Sequence, residues 1–347
     1  MKKSLLALAV LGAFAGAAAA QTNVTLYGIA DASIGMADSD APADSAVTVF
    51  SGVQSTSRFG VRGSEDLGGG LKATFNIEAG VNWDTGASDS DGGSTFWQRR
   101  AVVGLAGSWG EVRLGRDYTP GFLAGGVGDV MGYGLFGNWL TFTAENGGAG
   151  SVLNGITTRA SNGLHYTGSF GGVTVRAMYA TGEDYTGNNR GDMYGLSGVY
   201  AAGPLSVAAY WQQTDLGAAG DGQQYGIGGQ YNFGAFRVGL NYGAAEVDNQ
   251  PDHTGWAIGA GMKIGSGEIL AQYIQQELDT TGTPEAASIG LAYVHPLSKR
   301  TNLYATYGQL DNKNGASFGL RYAQSNVSAS GANADPKAFA VGIRHMF

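Results

Sequence analysis

The chain has 347 residues, with 60 glycines, 7 prolines, 17 tyrosines, no cysteine and a formal net charge of −8. Glycine without a three-residue period excludes collagen, and the recurrence of Tyr, Phe and Trp along the whole chain excludes a disordered linker. The missing cysteine removes disulfides, thiolate metal sites and cysteine nucleophiles together, and the negative balance lacks the basic footprint of a nucleic-acid partner.

Taken in chain order, Met1-Lys2-Lys3, an apolar run over 5–14 and the small-residue site Ala18-Ala19-Ala20 read as a secretory signal peptide, residues 1–20, with the mature chain starting at Gln21. The run is too short, and too rich in Ala and Gly, for a spanning helix of about 20 apolar residues. Beyond residue 20 no uninterrupted apolar stretch could cross a bilayer as a helix. No Pro-rich or charged linker divides 21–347, so a single domain is expected.

Strand-length alternation then recurs. Leu71, Ala73, Phe75 and Ile77 alternate with Lys72, Thr74, Asn76 and Glu78; Val173, Val175, Ala177 and Tyr179 alternate with Thr174, Arg176 and Met178. The same holds for Phe236, Val238, Leu240 and Tyr242, and for Trp256, Ile258, Ala260, Met262 and Ile264. Period two marks the two faces of a strand, and runs of about ten residues match tilted bilayer-crossing strands. Short connectors at 67–70, 107–110, 169–172, 202–204, 232–235, 264–267 and 296–299 alternate with long polar ones such as 84–95, 182–192 and 248–253. Short turns on one side and long loops on the other give about sixteen strands with both ends on the short-turn side. One connector, 117–157, is much longer than a compact fold tolerates without a role. Its Phe122, Met131, Leu135, Phe136, Trp139, Leu140 and Phe142 suit packing inside a lumen.

The last eleven residues alternate again, with Phe339, Val341, Ile343, His345 and Phe347 on one face. Alternation alone does not separate a wide barrel, apolar outside and wet inside, from a sandwich with the reverse polarity. The signal peptide, the terminal aromatic and the span-length strands favour the barrel: all-β, transmembrane and antiparallel.

Val24-Thr25-Leu26-Tyr27-Gly28, the stretch from Ser57 to Ala73, Val103-Gly104-Leu105, Leu114-Gly115-Arg116, Leu297-Ser298-Lys299-Arg300-Thr301 and Gly342 to Phe347 together carry a family pattern. The chain resembles the general trimeric porins of Gram-negative bacteria, most closely the betaproteobacterial and neisserial branch, over essentially the whole mature length. The resemblance implies a sixteen-stranded barrel in the outer membrane, exported through the periplasm, whose third loop folds inward to narrow the pore. It also implies a homotrimer embedded among outer-membrane lipid and lipopolysaccharide. Its terminal strand, with Phe347, His345 and Ile343, would be the label read by the barrel-assembly machinery.

In similar porins three arginines climb the wall opposite the third loop. By motif these are Arg58, just before Phe59-Gly60; Arg99, six residues before Leu105; and Arg159, just after the loop, with Arg100 departing from the usual neutral neighbour of Arg99. The alternation itself adds Arg62, Lys72, Arg113, Arg176 and Arg237 to the inferred lumen faces, against few wall acids, Asp31 and Glu78 the clearest. For Arg58 the plainer alternative is pairing with a wall carboxylate. The loop offers Asp117, Asp129 and Glu145 as acids, of which Asp129 is expected to face the arginines. Most other carboxylates fall in external loops.

Enzymatic motifs are absent. His165, His253, His295 and His345 lack metal-ligand spacing, and Gly68-Gly69-Gly70-Leu71-Lys72 lacks both the spacing and the helix of a phosphate loop. No cofactor, metal or catalytic residue is expected. The expected function is passive diffusion of small anions and hydrophilic solutes. The rivals are a channel for particular organic anions, a non-conducting adhesin or receptor barrel, and an outer-membrane enzyme.

Overall fold

The computed structural model describes residues 23–41, 45–89, 95–143, 157–184 and 189–347. The expected signal peptide and Glu145 therefore lie outside the described residues.

The described residues form nineteen strands and little helix. They are β1 (Asn23–Asp38), β2 (Ser45–Ser51), β3 (Arg58–Gly68), β4 (Leu71–Gly80), β5 (Arg100–Gly107), β6 (Gly110–Tyr118), β7 (Arg159–Phe170), β8 (Val173–Ala180), β9 (Met193–Ala202) and β10 (Leu205–Asp215). There follow β11 (Asp221–Asn232), β12 (Phe236–Val247), β13 (His253–Ile264), β14 (Gly267–Leu278), β15 (Glu285–Pro296), β16 (Thr301–Lys313), β17 (Leu320–Arg321), β18 (Asn326–Val327) and β19 (Lys337–Met346). Two short helices, α1 (Pro120–Gly125) and α2 (Leu140–Thr143), interrupt the long connector after β6.

Each wall strand pairs antiparallel with its sequence neighbour, and β19 pairs both with β16 and with β1, from Ile29↔Met346 to Asp38↔Lys337. The sheet is thereby a closed ring, which a two-sheet sandwich is not. Both β2 and β3 pair with β1, at Ala32↔Ser51 and Ile29↔Arg58 respectively, so they form one wall strand broken at 52–57. With β17 and β18 paired only to each other, the wall has sixteen strands.

The faces of the wall follow the expected alternation. On β12, Leu240 is 55% exposed while its neighbour Asn241 is 5% exposed, so the apolar set faces out and the polar set faces in. Gln212, Gln272, Gln276, Ser288, Asn302 and Thr306 belong to the buried polar face. All seven short connectors fall between successive strands as expected.

The apolar core lies against that polar face, where three connectors meet. Val53 comes from the 52–57 break, Val130, Met131, Leu135 and Phe136 from the connector after β6, and Phe318, Leu320 and Tyr322 from the connector after β16. Phe50, Phe136 and Tyr322 meet pairwise edge-to-face at 5.7 Å, the arrangement the ring quadrupole prefers. Backbone groups of the β6–β7 connector bond to the wall. Val130 N–H donates to Gln272 Oε1 (3.1 Å), Phe136 N–H to Thr306 Oγ1 (3.2 Å), and Arg237 Nη2 donates to the Val130 carbonyl (3.0 Å). Gly137, at φ +75°, sits so close to Gly290 that a Cβ on it would be 2.6 Å from the Gly290 Cα. A positive φ and contact with wall backbone both require glycine there.

Phe347 extends the closing seam: its N–H donates to the Gly28 carbonyl (3.1 Å) and its carbonyl accepts from Gly28 N–H (3.0 Å). Open sheet edges are not tolerated in lipid. Deleting Phe347 should therefore cut the fraction of heat-modifiable folded barrel recovered from cells severalfold, read on unheated gels. Recovery equal to wild type would show that the seam closes without this pair.

Candidate functional site

Antiparallel register brings one end of five neighbouring strand segments to a common level. Arg58 opens β3 opposite Gly80 near the end of β4, Glu78 of β4 faces Arg100 of β5, and Tyr118 closing β6 faces Arg159 opening β7. A bulge between Gly115 and Asp117 interrupts the β6–β7 ladder. Bulges re-aim side chains, and here both Asp117 and Tyr118 reach the arginines.

Glu78 is the shared carboxylate. It accepts from Arg99 Nε at 2.7 Å, lies 3.6 Å from Arg58 Nη1, and also accepts from the Tyr27 hydroxyl at 2.9 Å. The second acceptor is the Tyr118 hydroxyl, which receives Arg99 Nη2 at 2.5 Å and Arg58 Nη1 and Arg159 Nη2 at 3.4 Å each. The Arg159 guanidinium stands 4.8 Å from the Tyr118 ring centroid, in cation–π range. Arg58, Arg99, Arg159 and Tyr118 line a cleft of about 250 Å³, together with Phe122, Tyr133 and Leu140 of the connector and with Gln54, Thr56, Ala323 and Gln324.

A second tier lies beside it. Arg100 (2.8 Å) and Arg113 (2.8 Å) both bond Asp117, and Arg113 also bonds Glu111 (2.7 Å). Arg62, Arg100, Arg113 and Glu111 line a recess of about 300 Å³. Adjacent Arg99 and Arg100 thus both point inward, one to each recess, because Arg99 precedes the first residue of β5. Arg62 lies 5.1 Å from the Tyr27 ring centroid. Lys72 is exposed near the short-turn end of β4, away from both recesses.

The acids sit differently from the sequence expectation. Asp117 belongs to β6 and not to the connector. Asp129 is buried and turned away from the arginines: its carboxylate accepts N–H from Met131 (3.0 Å), Tyr133 (2.7 Å) and Trp139 (3.2 Å) and Nε2 of Gln272 (2.8 Å). Among the described residues, Glu78, Glu111 and Asp117 of the wall pair with the arginines, and Asp89 of the connector between β4 and β5 joins the lining of the first cleft. His345 and Ile343 lie on the outward face of β19, where His345 bonds Thr301 Oγ1 at 2.8 Å.

A model of the Gram-negative porin family matches residues 7–315. The chain belongs to that family. It is similar to outer membrane porin protein 32 of Delftia acidovorans, 38% identical over the full length of both chains. Major outer membrane protein P.IB of Neisseria meningitidis serogroup B is 38% identical over 120 residues, a third of each chain (33% and 34%). Among solved structures, an anion-selective porin from Comamonas acidovorans superposes with a TM-score of 0.82 at 33% identity, covering 94% of this chain and 100% of the other. An outer-membrane protein of Vibrio cholerae in trimer form shares the fold, with a TM-score of 0.70 at 18% identity and 94% and 99% coverage. This porin is thus a barrel of the Gram-negative outer membrane, a family of channels.

Three parts of the porin's site had no expectation attached. Tyr118 stands at the end of a strand, where period two no longer assigns a face. The 52–57 break is fixed by Asp31, which accepts from Ser55 N–H and from the Tyr304 hydroxyl at 2.6 Å each. The connector after β16 brings Gln324, whose Oε1 accepts from Ser57 N–H (3.1 Å). Its signal was legible: Phe318, Leu320 and Tyr322 are as apolar a run as the one that marked the β6–β7 connector.

The Arg99 side chain is only 4% exposed and is paired with the Glu78 carboxylate at 2.7 Å. Removing one partner of a buried pair costs about 3–5 kcal/mol. Glu78→Gln should lower the stability of the refolded porin by about 3 kcal/mol in urea titrations. A loss under about 1 kcal/mol would mean that solvent already screens the pair.

Proposed function

We propose that this porin is a water-filled diffusion channel with anion preference, narrowed where the connector after β6 folds inward toward the wall arginines. We further infer that it works as a homotrimer, processed at Ala20 and assembled through recognition of its terminal strand, with no catalytic step. The observation that carries the reading is the grouping of Arg58, Arg99 and Arg159 around one cleft, with Glu78 shared between the first two. Guanidinium groups along a wetted, low-dielectric wall raise the local anion concentration. The Comamonas acidovorans chain is described as an anion-selective porin and the Vibrio cholerae protein as a trimer, which supports both inferences. The wall carboxylates reduce the positive field without cancelling it, since Arg58 keeps 22% of its side chain exposed at 3.6 Å from Glu78.

Salt screens exposed charge over about 10 Å at 0.1 M. In bilayers with a salt gradient the porin should show an anion reversal potential. Arg58→Ser should move that potential toward cations, more at low salt than at high. An unchanged potential at low salt removes Arg58 from the pore, and a wild type that prefers cations overturns the anion reading.

The inward connector is tested separately. A Cβ on Gly290 would meet the Phe136 carbonyl and, at 3.1 Å, the Gly137 Cα. Gly290→Leu should push this segment off the wall and raise single-channel conductance of the folded trimer; an unchanged conductance would show that the segment does not set the narrow point.

A further inference from the structure

We infer that the arginine cleft is a weak binding site for aromatic monocarboxylates with a single ring, a conclusion that rests on the anion-channel reading and narrows it to a substrate class. The lining of the cleft is of two kinds. Arg58, Arg99, Arg159 and Arg321 outnumber one carboxylate, Asp89, and beside them stand the apolar groups of Phe122, Tyr133 and Leu140. Tyr118 joins the two, since its hydroxyl accepts from Arg58, Arg99 and Arg159 and its ring stacks on Phe122 at 5.2 Å and 10°. Phe122 stacks in turn on Tyr133 at 4.7 Å and 25°.

The apolar lining is held in place before any ligand arrives. Thr119 caps α1 by accepting Phe122 N–H at 3.2 Å, and Pro120 opens the helix, a residue already shaped for that position. Tyr133 is fixed through its N–H to Asp129. Little ordering cost therefore falls on binding.

A small inorganic anion gains from the arginines and nothing from the rings. Acetate gains the charge-assisted, potentially bidentate contact of guanidinium with carboxylate and little more. An aromatic carboxylate gains that contact and also meets aromatic groups in the cleft, whose pairing is favourable beyond the area it buries. At about 250 Å³ the space falls below the roughly 300–1,000 Å³ of drug-sized sites, so one ring is the limit. A conducting pore must also release what it binds, so the affinity belongs in the millimolar range, about 10⁻³ M.

The test is block of chloride current through single trimers in planar bilayers by sodium benzoate, acetate or cyclohexanecarboxylate at constant ionic strength. Benzoate should half-block at a concentration at least about threefold lower than either of the others. The benzoate-to-acetate ratio should collapse to about one in Phe122→Ala. Phe122→Leu, which keeps apolar bulk without a ring, should lower the ratio in the same direction and serves if the alanine variant fails to form trimers. Equal block by all three acids overturns the inference, as does a ratio that survives loss of the ring. Block by cyclohexanecarboxylate equal to benzoate also overturns it, because apolar bulk alone would then suffice. A wild type that prefers cations sinks the anion-channel reading itself, whereas an anion-preferring pore with equal block sinks only this inference.

Discussion

Every backbone N–H and C=O in hydrocarbon must find a partner inside the protein, and the closure of β19 onto β1 is how this chain meets that demand. Once the ring closes, each strand has a lipid side and an inner side, and period two assigns every wall residue to one of them. Leu240 and Asn241 are neighbours in sequence with opposite surroundings for this reason alone. The outer face is mostly apolar, with polar side chains such as His345 near the strand ends. Most of the charged groups therefore lie on the inner face and in the connectors.

That confinement explains the charge arrangement. Charged groups on the inner wall cannot be diluted into bulk water, so they must be paired or hydrogen-bonded at short range. Glu78, Asp117 and the Tyr118 hydroxyl hold Arg58, Arg99, Arg100, Arg113 and Arg159 in two tiers. The Tyr118 hydroxyl orients three guanidinium groups through a single oxygen.

The wall was legible in the sequence because two local rules write it: alternation, and glycine turns such as 67–70 and 264–267, where Gly68 and Gly265 take positive φ. Arg58, Arg62 and Arg113 lie on regular strand and could be assigned a face by counting. Arg99 could not, since it lies one residue outside β5, and the count that points Arg100 inward would point Arg99 out. Asp129 failed to join the arginines for a related reason. In a connector the direction of a carboxylate is set by nearby backbone N–H groups, and those of Met131, Tyr133 and Trp139 capture it locally. The break at 52–57 is invisible to alternation because β2 and β3 each obey it on their own side of the gap.

The two inner structures also need each other's asymmetry. The apolar cluster of Phe136, Phe318, Leu320 and Tyr322 packs against β14 to β16 and β19, as Leu270, Ala292, Tyr304 and Ala340 in the same cluster show. The wall arginines of the two recesses lie on β3, β5, β6 and β7, with Arg99 just before β5. While Phe122, early in the connector, stacks on Tyr118 at the basic side, hydrophobic contact draws the stretch with Val130, Met131, Leu135 and Phe136 toward β14 to β16 and β19. Arg237, bonded to the Val130 carbonyl, and Gln272, bonded to Val130 N–H, fasten it there. A polar connector would have no such preference and could settle across the arginines. In the proposed channel, the apolar character of that segment is thus what keeps the basic wall wet: it seats the plug against the opposite strands and leaves the remaining water path beside the guanidinium groups.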